Sequence, residues 1–169
     1  MLVTPLLVTV DPGLRACGVA VFRDGVLTSA FAVRGPADVR GPRLWRTLGG
    51  LVCARLSKTA LFAQQGHLVV ETMQVHTAAT SKGDPDDLLE LQGVASAVAC
   101  GVPGWWSVEG VLTRDWNGQV PSAVRRERTQ KWVADNGWTD RVDLDTTARF
   151  QQDIWSAIGI GRWKIQGYK

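Results

Sequence analysis

Apolar positions along the chain fall first into short runs and later into helical stripes. Leu6-Leu7-Val8-Thr9-Val10 is an apolar run of strand length, broken by Asp11-Pro12-Gly13. A run bounded by turn formers reads as a buried strand, and here Pro12 removes a donor while Gly13 permits an unusual backbone angle. Cys17-Gly18-Val19-Ala20-Val21-Phe22 is a second β-rich run, separated by Asp24-Gly25 from a third. Asp-Gly between apolar runs is a strong hairpin signal. Strands are therefore expected over 5–10, 17–23 and 26–33, with Gly35-Pro36 ending the third. The period then changes. Leu44, Leu48, Leu51, Val52, Leu56 and Leu61 recur at helical spacing and predict a helix over 38–65. Gly49-Gly50 would kink that helix or let it pack close to the sheet.

Residues 68–71 read as a short buried strand ending in Glu71, and residues 72–83 as a polar loop. Asp84-Pro85-Asp86-Asp87 supplies a cap, a proline at the first position and acids in the first turn, so these acids start a helix rather than bind metal. That helix should reach about Cys100. Residues 105–108 are expected to form the last strand. A further helix begins at Gly118-Gln119-Val120-Pro121 and stops at Asn136-Gly137, a C-cap pair. Thr146 or Thr147 would cap the final helix, whose Gly159 and Gly161 allow close approach to the sheet.

Three antiparallel strands followed by alternating helices and strands make an α/β plan, and helix crossovers place the later strands parallel to the first. With 169 residues, 45% of them hydrophobic, and no repeat or linker, residues 1–169 form one domain with a real core. No apolar run is long enough to span a membrane, and no charged segment precedes the first apolar run, so a cytoplasmic protein is expected. Cys17, Cys53 and Cys100 are far apart in apolar surroundings and read as reduced core residues without zinc spacing.

Net charge is +3, unevenly spread. Residues 1–50 carry six basic and three acidic groups, residues 51–109 three and six, and residues 110–169 ten and seven. An acidic middle rimmed by positive charge suits a nuclease as well as it suits an ordinary surface. Asp11 and Glu71 both end apolar strands, so if those strands are neighbours the two carboxylates meet at one sheet edge. Asp153 lies beside Ile154 and Trp155 in a helix with little other charge. Each has a plainer explanation: a turn-forming Asp, a strand-end Glu, a first-turn acid favoured by the helix dipole. Together they have the makings of a divalent-metal site for phosphodiester hydrolysis, where two ions about 3.5–4 Å apart activate water and stabilise the leaving oxygen.

Asp11-Pro12-Gly13 after an apolar strand, followed by Gly18-Val19-Ala20-Val21, resembles the first motif of RuvC-like Holliday junction resolvases, members of the ribonuclease H-like superfamily. His67-Leu68-Val69-Val70-Glu71 resembles the family's second acidic strand, Leu88-Leu89-Glu90-Leu91-Gln92-Gly93-Val94 the helix after it, and Asp153-Ile154-Trp155-Ser156-Ala157-Ile158-Gly159-Ile160-Gly161 the last acidic helix. The resemblance implies a mixed five-stranded sheet, three antiparallel strands then two parallel, flanked by helices. It implies Asp11, Glu71 and Asp153 as catalytic metal ligands for Mg2+ or Mn2+, with two ions. It also implies a homodimer that nicks four-way DNA junctions in pairs, in a bacterial or phage-infected cell; the small size fits a compact phage or bacterial member. The family pattern has a second carboxylate three residues after the first on the last helix, where this chain has Ser156; a water, Ser156 itself or an acid such as Asp145 would fill that place. The family's junction-probing aromatic has no counterpart in Met73-Gln74-Val75-His76.

Phosphate contacts are expected from Lys82, Arg114, Arg125, Arg126, Arg128, Lys131 and Lys164, with Arg162 beside the last. Trp116, next to the basic cluster, is the tryptophan expected to touch nucleic acid. Three rival readings are a non-catalytic junction-binding module, which Ser156 motivates, a nuclease acting on RNA or RNA–DNA hybrids, and a sugar-kinase-like ATPase. The last would need a second glycine-rich phosphate loop that the chain lacks.

Overall fold

In a computed structural model of the chain, residues 6–59, 64–73 and 84–167 are described. Strands β1 (Leu6–Pro12), β2 (Ala16–Arg23) and β3 (Val26–Arg34) form an antiparallel meander. Helix α1 (Gly41–Ser57) leads to β4 (His67–Thr72), and α2 (Pro85–Gly101) leads to β5 (Ser107–Leu112). Three helices follow: α3 (Thr113–Asn117), α4 (Ser122–Asp135) and α5 (Ala148–Gln166). The strand order is β3-β2-β1-β4-β5, with β4 parallel to both β1 and β5. This is the expected mixed five-stranded sheet.

Strand alternation sends successive side chains to opposite faces. Leu6, Val8, Val10, Leu68 and Val70 face α1 and α2; Leu7 and Val69 face the side packed by Ile154, Ala157 and Ile158 of α5. Asp11 and Glu71 share parity with Leu7 and Val69, so they belong to the α5 side. The helix is pinned there by the buried Thr9, whose hydroxyl donates to the Ala157 carbonyl at 2.7 Å. It is brought close by Gly18, opposite Asp11 in the ladder, where a Cβ would stand 1.9 Å from the Asp153 carbonyl oxygen. Gly161 does the same against the Phe22 ring.

Several boundaries differ from expectation. Helix α1 starts at Gly41, not 38, because Gly41 takes φ +56° and Pro42 occupies the first turn. It ends at Ser57, where Thr59 folds back on the Leu56 carbonyl through both its N–H and its hydroxyl. Leu61 lies outside the described residues. Gly49 serves the contact with α2, not the sheet: a Cβ there would stand 2.8 Å from the Ala97 backbone. Gly159 likewise faces Trp116 and Thr129 rather than the sheet. The last strand runs Ser107–Leu112 instead of 105–108, because Trp106 turns into the core and donates its indole N–H to the Gln64 carbonyl at 2.9 Å. Asp24 and Gly25, with φ +52° and +79°, form the expected hairpin turn. Gly13 has no such angle; it is small because a Cβ would meet the Ala16 carbonyl at 2.4 Å and the Asp153 carboxylate at 3.3 Å. The Asp84 carboxylate caps α2 by accepting from the Asp86 N–H at 3.0 Å. Cys17 is buried and Cys53 half-buried, but Cys100, near the end of α2, is exposed rather than part of the core; all three are free thiols.

Candidate active site

The ends of β1 and β4 and the first half of α5 bring Asp11, Glu71, Asp153 and Ser156 together. Glu71 is buried at 6% exposure, as is Ser156. Glu71 is fixed from the chain that follows β5: the Thr113 hydroxyl donates to its Oε1, and the Trp116 indole N–H donates to the same atom at 3.3 Å. Arg125 lies over the Trp116 ring, 4.5 Å from its centroid.

The electrostatics of the cluster are set first by burial and then by crowding of like charge. Burial pushes the Asp11 carboxyl well above the usual carboxylate range. The negative charge of Glu71, a hydrogen bond to Glu71 and the charge of Asp153 push the same way, opposed by a hydrogen bond from Ser156. Burial also raises Asp153, to about 6; Arg149 pulls it down and Glu71 adds to the rise. Beneath them the Cys17 thiol is pushed up to about 12, first by burial, against a hydrogen bond from the Gly13 backbone, with Asp11 and Asp153 adding to the rise. Arg125 feels burial, which lowers its pKa, more than the attraction of Glu71 and Asp11. None of the ion pairs among the described residues includes Asp11, Glu71 or Asp153.

Hard carboxylate oxygens are the donor set that magnesium and manganese prefer, and a cation or a proton offsets the burial and repulsion that raise Asp11 and Asp153. Among the described residues no three acid, imidazole or thiol groups already form a cage that could hold an ion. The acids are an electrostatic cluster, with Glu71 Oε1 committed to Thr113 and Trp116.

Of the other expected site residues, Arg125, Arg128 and Arg162 line one pocket with Trp116, and the rest scatter. Asp143 and Asp145 are exposed in the loop before α5, where the Asp143 carboxylate accepts from the Asp145 N–H at 3.0 Å. Lys82 and His76 lie outside the described residues. Arg114 is exposed and stands 3.6 Å from Asp115; Lys131 is exposed and pairs with Asp135 at 3.2 Å. Arg126 and Arg128 are exposed on α4, whereas Arg125 turns inward. Arg162 and Lys164 lie on α5, not after it. Lys164 is eleven residues beyond Asp153, about 16 Å along a helix at 1.5 Å per residue. There it binds Glu109 at 2.5 Å, at the far end of the sheet. Trp116, expected to touch nucleic acid, is buried at 9% exposure, holds Glu71 and lines a pocket between α3, α4 and α5. Thr113 and Arg149, absent from the sequence reading, join the site.

No family model matches the sequence, and no curated protein does. Among solved structures, RuvC of Thermus thermophilus in complex with a Holliday junction substrate is similar, with a TM-score of 0.58 and 12% identity over 96% of each chain. A second structure of Thermus thermophilus RuvC gives 0.53 and 14%, over 93% of this chain and 91% of that one. The yeast mitochondrial Holliday junction resolvase Ydc2 gives 0.53 and 10%, over 95% and 78%. The fold is therefore the ribonuclease H-like fold that these resolvases share. Among the described residues no helix is long and apolar enough to cross a membrane.

Proposed function

We propose that the protein is a metal-dependent, structure-selective DNA endonuclease that resolves four-way junctions by paired nicks, acting as a homodimer. The observation that carries this reading is the convergence of Asp11, Glu71 and Asp153 from three elements onto one face of a ribonuclease H-like sheet. The structural neighbours named as Holliday junction resolvases, one of them bound to a junction, support the choice of substrate. In this reading Asp11, Glu71 and Asp153 would hold Mg2+ or Mn2+, which would supply charge neutralisation and an activated water for phosphodiester hydrolysis. Thr113 and Trp116 orient Glu71, and Ser156 favours the ionised form of Asp11 by donating to it. Arg125, held between Trp116 and the acids, places one positive charge at the site's edge. Exposed Arg126 and Arg128 would position the phosphate backbone without reading sequence.

Ser156 in place of a second helical acid favours one other reading, a junction-binding protein without catalysis. Incubating a labelled four-way junction with the protein and magnesium, manganese or chelator, beside duplex and flap controls, decides between them. Metal-dependent nicking confined to the junction is expected. Tight junction binding with no nicking under any metal would overturn the nuclease assignment.

A further inference from the structure

Helices α3, α4 and α5 enclose a second feature on the outer side of Trp116. It is a cavity of about 200 Å³ bounded by Arg125 and Arg128 of α4, Arg162 and Trp163 of α5, and Trp116 and Asn117 of α3. Arg125 and Arg128 are three apart and so share a helix face. Gly159 keeps the floor open: a Cβ there would come 3.0 Å from the Trp116 ring and 3.5 Å from the Thr129 hydroxyl.

The lining of this cavity carries charge of one sign, although Arg125 also feels the attraction of Glu71 and Asp11 beyond it. No acid lines it among the described residues, and no ion pair among them includes any of the three arginines. Their contacts are to ring faces and neutral acceptors. Arg125 lies over Trp116, and Arg162 lies 5.7 Å from the Trp132 ring centroid. Arg162 also donates to the Arg128 carbonyl at 3.0 Å and to Gln166 Oε1 at 3.1 Å. Three guanidinium groups around one small space repel one another, and an anion converts that repulsion into attraction. Phosphate oxygens match the arginine fork. A second, independent feature points to more than an anion: the Asn117 Oδ1 atom is buried with no hydrogen-bond donor. A buried acceptor without a partner is costly, and an N–H or O–H on an occupant would satisfy it.

We propose that this cavity is a nucleotide-binding pocket. It takes a phosphate on Arg125, Arg128 and Arg162, a base against the indole wall, and a base N–H or sugar hydroxyl on Asn117. An aromatic wall accepts any base because every base has a stacking face. The occupant is either a free mononucleotide or an unpaired nucleotide of a DNA strand. The second source rests on the nuclease reading above and would place an unstacked nucleotide directly behind the residue that holds Glu71.

Calorimetric titration of the full chain in chelator, so that no metal carries the phosphate, tests this. The probes are deoxyadenosine monophosphate, deoxyadenosine, inorganic phosphate and a single-stranded tetranucleotide, with Arg128→Gln and Asn117→Ala as variants. Saturable binding of the mononucleotide is expected, at least tenfold tighter than the nucleoside or phosphate, and weakened roughly tenfold by Arg128→Gln. The indole N–H resonances of Trp116 and Trp163 should shift on titration of the wild type, a readout that does not depend on a variant folding. The tetranucleotide binding tighter than the mononucleotide assigns the pocket to a DNA strand; the reverse assigns it to a free nucleotide. No saturable mononucleotide binding, affinity no better than phosphate, or unmoved indole resonances would overturn the pocket. Junction cleavage by the wild type without mononucleotide binding rejects the pocket alone. Mononucleotide binding by a chain that never cuts rejects the nuclease reading alone.

Discussion

The two ends of β4 treat carboxylates in opposite ways. At its start, Glu109 of the neighbouring strand is shared between Lys164 at 2.5 Å and His67 at 3.0 Å, while His67 also meets the Ser107 hydroxyl at 2.7 Å. Burial works to raise the Glu109 pKa, but the hydrogen bond and charge of Lys164, then those of His67, outweigh it and leave it lowered. At the other end Glu71 joins Asp11 and Asp153 without an ion pair among the described residues, and Asp11 and Asp153 are raised. One helix, α5, supplies the partner in both cases: a cation at one end, a further acid at the other. The fold neutralises a carboxylate with a lysine at one end and crowds three acids at the other, where the proposed metal would supply the positive charge.

The largest effects should come from removing an acid at the crowded end. Asp11→Asn and Asp153→Asn are each expected to cut metal-dependent junction cleavage by roughly a hundredfold or more while leaving junction binding in place, because each removes a ligand and a charge but little shape. Magnesium or manganese should raise the melting temperature of the wild type, and Asp11→Asn should remove most of that rise. An unchanged metal response in Asp11→Asn would remove Asp11 from the site. Full activity in Asp153→Asn would send the search to Asp143 or Asp145, exposed though they are.

Asp153 also carries a pH signature. Its folded pKa of about 6 lies above the roughly 4 of an unfolded aspartate, so the folded state binds the proton more tightly. Stability therefore falls as pH rises through that window, and the cost is complete above the folded pKa. Without metal, Asp153→Asn should melt a few degrees higher than wild type at pH 8, with the difference shrinking toward pH 4. Equal differences at both pH values would contradict the burial and crowding of Asp153. One step smaller is the positioning of Glu71: Thr113→Val should weaken metal affinity about tenfold, read from the metal concentration that half-saturates the melting shift. Affinity unchanged in Thr113→Val would mean that this hydroxyl does not orient a ligand.

Much of the crowded end was legible in the chain because its signals are local. Asp11 and Glu71 each close an apolar strand, Pro12-Gly13 begins the turn that brings β2 back along β1, and Asp24-Gly25 sets the hairpin that puts β3 beside β2. Period-2 alternation then sends both carboxylates to one face. What escaped is what depends on distant contacts. Thr113 and Trp116 reach Glu71 across 42 and 45 residues, and nothing near Thr113 marks its hydroxyl as a partner. Gly18 looked like one small residue in a strand, yet it is where α5 touches the sheet. The last strand was misplaced because an edge strand, Ser107-Val108-Glu109-Gly110-Val111-Leu112, carries little continuous apolar signal. The Glu109 partner of Lys164 escaped because charge in a sequence does not disclose what it pairs with, and Glu109 lies 55 residues away.

The smallest expected effect completes the contrast. Lys164→Met removes the cation at the neutralised end and keeps the apolar stem on the sheet. Both partners are about a third exposed, so solvent screens the pair and the loss should be only about 0.2–1 kcal/mol. Its pH dependence runs opposite to that of Asp153. The Glu109 pKa is lowered on folding, so its contribution is present above the unfolded value and is lost as pH falls through the folded one. Lys164→Met should therefore be destabilised at pH 7 and approach wild type in acid, whereas Asp153→Asn should be stabilised at pH 8 and approach wild type in acid. The metal-induced rise in melting temperature should be the same in Lys164→Met as in wild type, because the lysine lies about 16 Å along α5 from Asp153. Denaturant unfolding of both variants across pH, with and without magnesium, measures all of this in one series. A metal response altered by Lys164→Met would show that the two ends of the sheet are coupled through α5 rather than independent.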